Sequence, residues 1–125
     1  MAMVDPVAGV TATITLHRSV SVVVVRGEVD AATVPVVHTA LSAELDRHPR
    51  RLVVDLTGVE FIDPTGLRLL ADTTQRGERS GTAVAVSASH LAVLRPMRLT
   101  GLDQAMTVRG SVDEAVTELL ARRSG

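Results

Sequence analysis

Apolar and polar residues alternate from Val10 to His17, with Val10, Ala12, Ile14 and Leu16 on one side and Thr11, Thr13, Thr15 and His17 on the other. A period of two is that of a half-buried strand. Val20 to Arg26 reads as a second strand, and the Arg18-Ser19 connection is short enough for a hairpin, although it lacks the Asn-Gly or Asp-Gly that fixes the turn type. The period then changes. Val37, Leu41 and Leu45 mark the buried stripe of a helix predicted from about Val34 to Arg47, with Thr33 as candidate N-cap and His48-Pro49 as its stop.

Leu52, Val53, Val54 and Leu56 form a short interior strand that Thr57-Gly58 is expected to break. Asp63 has the side chain to accept hydrogen bonds from the first free amides of a helix. Pro64 fits the first helical position, where no amide is needed, and Thr65 the second. Leu67, Leu70, Ala71 and Thr74 then share one face, while Arg68, Asp72, Gln75, Arg76 and Arg79 point the other way until Ser80-Gly81 ends the helix. Arg68, Asp72 and Arg76, four residues apart, are expected to support one another by about 0.3 kcal/mol per pair.

Thr82 to Ser87 alternates again as a fourth strand. A third helix from Ser89 to about Leu99 contains Pro96, which is expected to kink it. Met106 to Val108 is a last short strand, and Ser111 caps a closing helix that runs to Arg122. This order predicts an α/β fold: an antiparallel N-terminal hairpin, then right-handed crossovers that build parallel strands, giving a mixed sheet with about four α-helices mainly on one face. The domain is expected over residues 11–122, with residues 1–10 a flexible N-terminal segment.

A chain of 125 residues supports one core. Phe61 is its single aromatic residue, so that core is aliphatic. A formal charge of -1, without a large basic cluster, argues against a nucleic-acid partner. Cysteine is absent, which excludes disulfides and thiolate chemistry and fits a reducing compartment. Met1 to Val10 has no signal-peptide pattern, and the longest aliphatic run, Val22 to Val25, is far too short for a membrane span. A cytoplasmic protein without membrane insertion is the expectation. Every cationic residue apart from histidine is arginine, which excludes a Walker A lysine, a Schiff-base lysine and a kinase's catalytic lysine. The four histidines show no metal-ligand spacing, and no nucleophile-base motif stands out, so neither an enzyme nor a cofactor is expected.

The stretch Asp55-Leu56-Thr57-Gly58-Val59-Glu60-Phe61-Ile62-Asp63-Pro64-Thr65-Gly66-Leu67 resembles the signature of the STAS domain, in particular that of free-standing anti-sigma factor antagonists. Three landmarks agree in order: Gly27-Glu28-Val29-Asp30, Arg51 to Asp55, and Leu99-Thr100-Gly101-Leu102. The resemblance spans about Thr11 to Leu120. It implies that Thr65 is the hydroxyl phosphorylated by a partner anti-sigma factor that doubles as a serine-threonine kinase with a histidine-kinase-like ATPase fold. ATP would then belong to the partner. Asp30, Asp63 and Gly66 would support the acceptor loop, and Pro64, Thr65, Gly66, Leu67 and Arg68 would contact the partner, with the rest of the second helix and part of the third.

From the residues alone, Thr65 reads equally as a first-turn hydroxyl, Asp63 as a helix cap and Asp30 as a turn or cap residue. A phosphate on Thr65 would add close to two negative charges at a helix N-terminus, which the dipole favours, so binding rather than the fold should be lost. An acidic partner surface would add repulsion. Pro64 departs from the small polar residue usual in the family, and Pro96 is a second departure. The competing expectation is a STAS subunit docked permanently in a membrane transport or signalling assembly, with Thr65 as contact surface.

Overall fold

The structure, a computed structural model, describes the backbone of residues 2–5 and the whole of residues 9–122. Six strands form one sheet in sequence order: β1 (Ala2–Asp5), β2 (Val10–His17), β3 (Val20–Val29), β4 (Arg51–Ile62), β5 (Ala83–Ser87) and β6 (Thr107–Arg109). β1, β2 and β3 pair antiparallel, and β3 through β6 pair parallel. Parallel neighbours require crossovers. These contain α1 (Val34–Leu45), α2 (Pro64–Ser80), and α3 (Leu91–Leu99) followed by the short α4 (Leu102–Ala105); α5 (Val112–Ala121) closes the chain.

The sheet is apolar on both faces at its centre. Val23, Val25, Leu52 and Val54 join Leu41 of α1, Leu70 of α2 and Met97 of α3 in the larger cluster. Val20, Val22, Val53 and Ala85 meet Ala115, Val116 and Leu119 of α5 in the smaller. Burial on both faces explains why β3 and β4 read as continuous aliphatic runs while β2 alternates. The expectation of helices mainly on one face fits α1 to α3; α5 covers part of the other.

Several boundaries differ from those read in the sequence. Residues 1–10 are expected as a flexible segment, but Ala2–Asp5 pair with Val10 to Thr13 as an edge strand. Residues 1, 6–8 and 123–125 lie outside the described residues. Arg18 and Ser19 hold positive φ values of 52° and 68° without glycine. That is the backbone of a tight type I′ hairpin. Arg18 donates from its guanidinium to Asp113 and Thr117 on α5, and His17 shares Asp113, which anchors the turn.

Thr57-Gly58 bends the strand instead of ending it. Val24 pairs with Asp55 and Arg26 with Gly58, then Gly27 with Val59 and Glu28 with Phe61, so β4 carries one extra residue at each of two bulges. α1 stops at Leu45, and α4 is a turn of helix that no sequence signal announced. Arg76 pairs with Asp46, the C-cap of α1, and with Ser42 of that helix rather than with Asp72, because the two helices lie side by side.

Candidate functional site

β4 outlasts β5 at its C-terminal end and runs directly into α2, so the signature projects from the end of the sheet. Asp63 caps α2 as its sequence predicts. Its Oδ1 accepts from the amides of Thr65 at 2.9 Å and Gly66 at 3.1 Å, and from the Thr65 hydroxyl by a short hydrogen bond. Pro64, at the first helical position, has no amide to satisfy. The Asp63 amide donates to the Val29 carbonyl at 3.0 Å, which ties the cap to the end of β3.

The Thr65 hydroxyl, followed by opposing desolvation and by the amides of Gly66, Thr65 and Ala31, sets the acidity of Asp63. The donors prevail and hold its carboxyl below the usual carboxylate range. Ala31 belongs to the turn after β3, so the two loops meet at this carboxylate. In that turn, Asp30 Oδ1 accepts from the amides of Ala32 and Thr33 at 2.9 and 3.1 Å. Thr33 does not cap α1 with its side chain. Its hydroxyl accepts from the Asp30 amide at 2.9 Å and donates to the Glu28 carbonyl at 2.7 Å. Asp30 therefore builds the neighbouring turn.

Exposure sorts the candidate contact residues. Pro64, Thr65 and Arg68 are exposed, whereas Gly66 and Leu67 are buried. The latter two were expected against the partner; they face the core and seat the loop from beneath. A Cβ on Gly66 would lie 2.7 Å from both Ile62 Cγ1 and Val29 Cγ1, so only glycine lets α2 start this close to β3 and β4.

Asp55 and Ser87 are supports that the sequence marked only as a landmark and a strand end. Asp55 is buried, and its Oδ1 accepts from the Thr57 amide at 3.0 Å, the Thr57 hydroxyl at 2.8 Å and the Ser87 hydroxyl at 2.9 Å. These bonds pin the first bulge and bind β4 to β5. The Asp-x-Thr spacing is a recognisable turn signal; the Ser87 contact depends on strand pairing and has none. A hollow of about 410 Å³, lined partly by Thr74, Glu78, Thr82, Met106 and Arg122, opens at the far end of α2 and takes no part in this site. Among the described residues, no group of three histidines or carboxylates could hold a metal, and no helix is long and apolar enough to cross a membrane.

A mixed sheet flanked by helices, with a capped, hydroxyl-bearing helix start, is the arrangement that the sequence resemblance implies, and residues 11–115 match the family model described as the STAS domain. The chain belongs to the STAS domain family. Among its relatives, the anti-sigma-F factor antagonist RsfB of Mycobacterium tuberculosis is 32% identical over 108 residues, which cover 86% of this chain and 88% of RsfB. RsfA, the anti-sigma-F factor antagonist of the same organism, is 30% identical over 111 residues, covering 85% and 84%. A crystal structure of an anti-sigma factor antagonist from Mycobacterium paratuberculosis superimposes with a TM-score of 0.84 at 37% identity, covering 90% of this chain and 96% of that one. The chain is thus a STAS domain similar over most of its length to antagonists of anti-sigma factors.

Proposed function

We propose that this STAS domain is an anti-sigma factor antagonist that binds an anti-sigma factor, releases the sigma factor and is switched off by phosphorylation at Thr65. The observation that carries the proposal is the exposed Thr65 hydroxyl, held by Asp63 at the rigid first turn of α2, in a chain whose relatives carry that role in their names. The partner is a serine-threonine kinase with a histidine-kinase-like ATPase fold and supplies the ATP. Transfer forms a bond from Thr65 Oγ1 to the γ-phosphorus, breaks the bond to the β-phosphate oxygen, leaves ADP and releases the hydroxyl proton. Such transfers depend on positioning more than on a strong base. Asp63, whose carboxyl is already more acidic than usual, suits orientation of the hydroxyl rather than proton abstraction.

The same geometry explains the loss of binding. The donor nucleotide must lie against Thr65, so a phosphate left there faces the nucleotide's own phosphates and must shed water in a packed interface. The fold need not change. Thr65→Asp is expected to keep the thermal melt of the wild-type chain within a few degrees and to weaken binding at least tenfold. The check is titration calorimetry against each purified histidine-kinase-like ATPase of the source genome. Equal affinity of variant and wild type would sink the charge switch; no binding by the wild type would favour a constitutively docked STAS subunit instead.

A further inference from the structure

Arg50 and Arg51 take no part in the site at the start of α2. They lie at the opposite end of the sheet, where β4 begins, and with Ser19, Val20, Ser21 and Pro49 they line a hollow of about 320 Å³ between the hairpin of β2 and β3 and the turn from α1 to β4. Small-molecule sites start at about this size, roughly 300 Å³. The lining carries two guanidinium groups and two hydroxyls and no carboxylate. Among the described residues, neither serine hydroxyl is hydrogen-bonded, and Arg50 makes no ion pair or side-chain hydrogen bond. Arg51 is half-buried and donates from Nε to the Leu119 carbonyl at 3.1 Å, which fixes its stem and leaves its terminal nitrogens without a partner among the described residues.

Both walls of the hollow are held by the rest of the fold. Arg18 ties the hairpin to Asp113 and Thr117 of α5. Across from it, the Pro49 carbonyl accepts from the Thr82 hydroxyl at 2.6 Å and the Arg50 carbonyl from the Ala83 amide at 2.9 Å. Arg18, Ser19 and His48, the non-glycine residues with positive φ among the described residues, all lie in these two turns. Such backbone persists only where its surroundings over-determine it. The donors are therefore placed before any ligand arrives.

Carboxylates on the adjoining elements are engaged elsewhere: Asp46 with Arg76, Asp113 with Arg18 and His17, and Glu118 with Arg109. The acidic end of the molecule is the other one, where Glu28, Asp30, Glu60 and Asp63 gather and no arginine lies within 27–33 or 58–67. An anion is drawn to the arginine end and turned away from the Thr65 loop.

We infer that this hollow binds a phosphomonoester, with its tetrahedral oxyanion held by Arg50 and Arg51 and by the hydroxyls of Ser19 and Ser21. Two guanidinium forks and two hydroxyls supply more donors than the paired oxygens of a carboxylate can use, and they suit the outer oxygens of a phosphate. The site does not rest on the function proposed above, because it lies at the far end of β4 from Thr65.

The test is amide NMR of the full chain, titrated at constant ionic strength with inorganic phosphate, glycerol phosphate and acetate. Saturable shifts are expected at Ser19 to Ser21, Arg50 and Arg51, tighter for glycerol phosphate than for inorganic phosphate and missing with acetate. Arg50→Ala, at an exposed position, is expected to melt like the wild type and to bind glycerol phosphate at least tenfold more weakly. Arg50→Lys should recover only part of the affinity, because lysine keeps the charge and loses the fork. Phosphatidic acid presents the same chemistry on a lipid, so flotation with phosphatidylcholine vesicles, with and without phosphatidic acid, distinguishes the sources. Flotation that needs phosphatidic acid and fails in Arg50→Ala would support the site with a lipid as its source. Equal affinity of Arg50→Ala and wild type, shifts matched by acetate, or no saturable shift and no flotation with any phosphate probe would overturn the inference.

Discussion

Asp63 concentrates three functions on one carboxylate. Its Oδ1 closes the helix start and orients the Thr65 hydroxyl, and its carboxyl also meets the Ala31 amide of the turn after β3. Because the folded-state pKa is depressed, the stabilisation from this carboxylate is complete above the ordinary unfolded value of about 4 and is lost as pH falls through the lower folded value. The Thr65 hydroxyl is the leading cause, so Thr65→Ala should move the Asp63 pKa back up toward the ordinary value. Carbon-detected NMR titration of the side chain reads this directly; an unmoved midpoint would show that the backbone amides alone hold it down.

At the level of elements, the junction of β4 and α2 is a packing problem that glycine solves. Gly66 lies under the first turn against Ile62 and Val29. Gly66→Ala adds a methyl at a separation that atoms do not tolerate, and helix propensity does not offset the strain. A loss of about 1–3 kcal/mol in urea denaturation is expected; a neutral result would mean that the helix start has room to shift. The bulges of β4 belong to the same problem. The second of them leaves Phe61 exposed while Ile62 enters the core, and so aims the strand's exit toward α2.

Across the whole molecule, stability is graded from the centre of the sheet to its edge. β3 and β4 have paired neighbours on both sides and core on both faces, whereas β6 has three residues and one neighbour. Amide hydrogen exchange should be slowest at Val22 to Val25 and Val53 to Leu56 and faster by orders of magnitude through α4 and β6. Uniform protection along the chain would contradict that gradient. A rigid centre with the Thr65 loop at its end suits the proposed switch, in which modification would change contacts and not shape.

The sequence by itself determined the mixed α/β order, the capped start of α2, the outward face of Arg68 on that helix, and membership of the STAS family. These follow from local periodicity, from side chains that bond within three residues, and from a signature written in consecutive positions. Tertiary structure decided what depended on residues far apart in the chain. Thr57-Gly58 became a bulge because β3 and β5 hold β4 on both sides and Ser87 reaches Asp55 across strands. Arg76 found Asp46 on α1 because helix packing brought a better-placed partner than the one four residues away. Leu67 turned inward as the apolar face of α2 predicts, but Gly66 packed against Ile62 and Val29, and Ala2–Asp5 joined the sheet, because the core and the edge of β2 offered them contacts that no local pattern encodes.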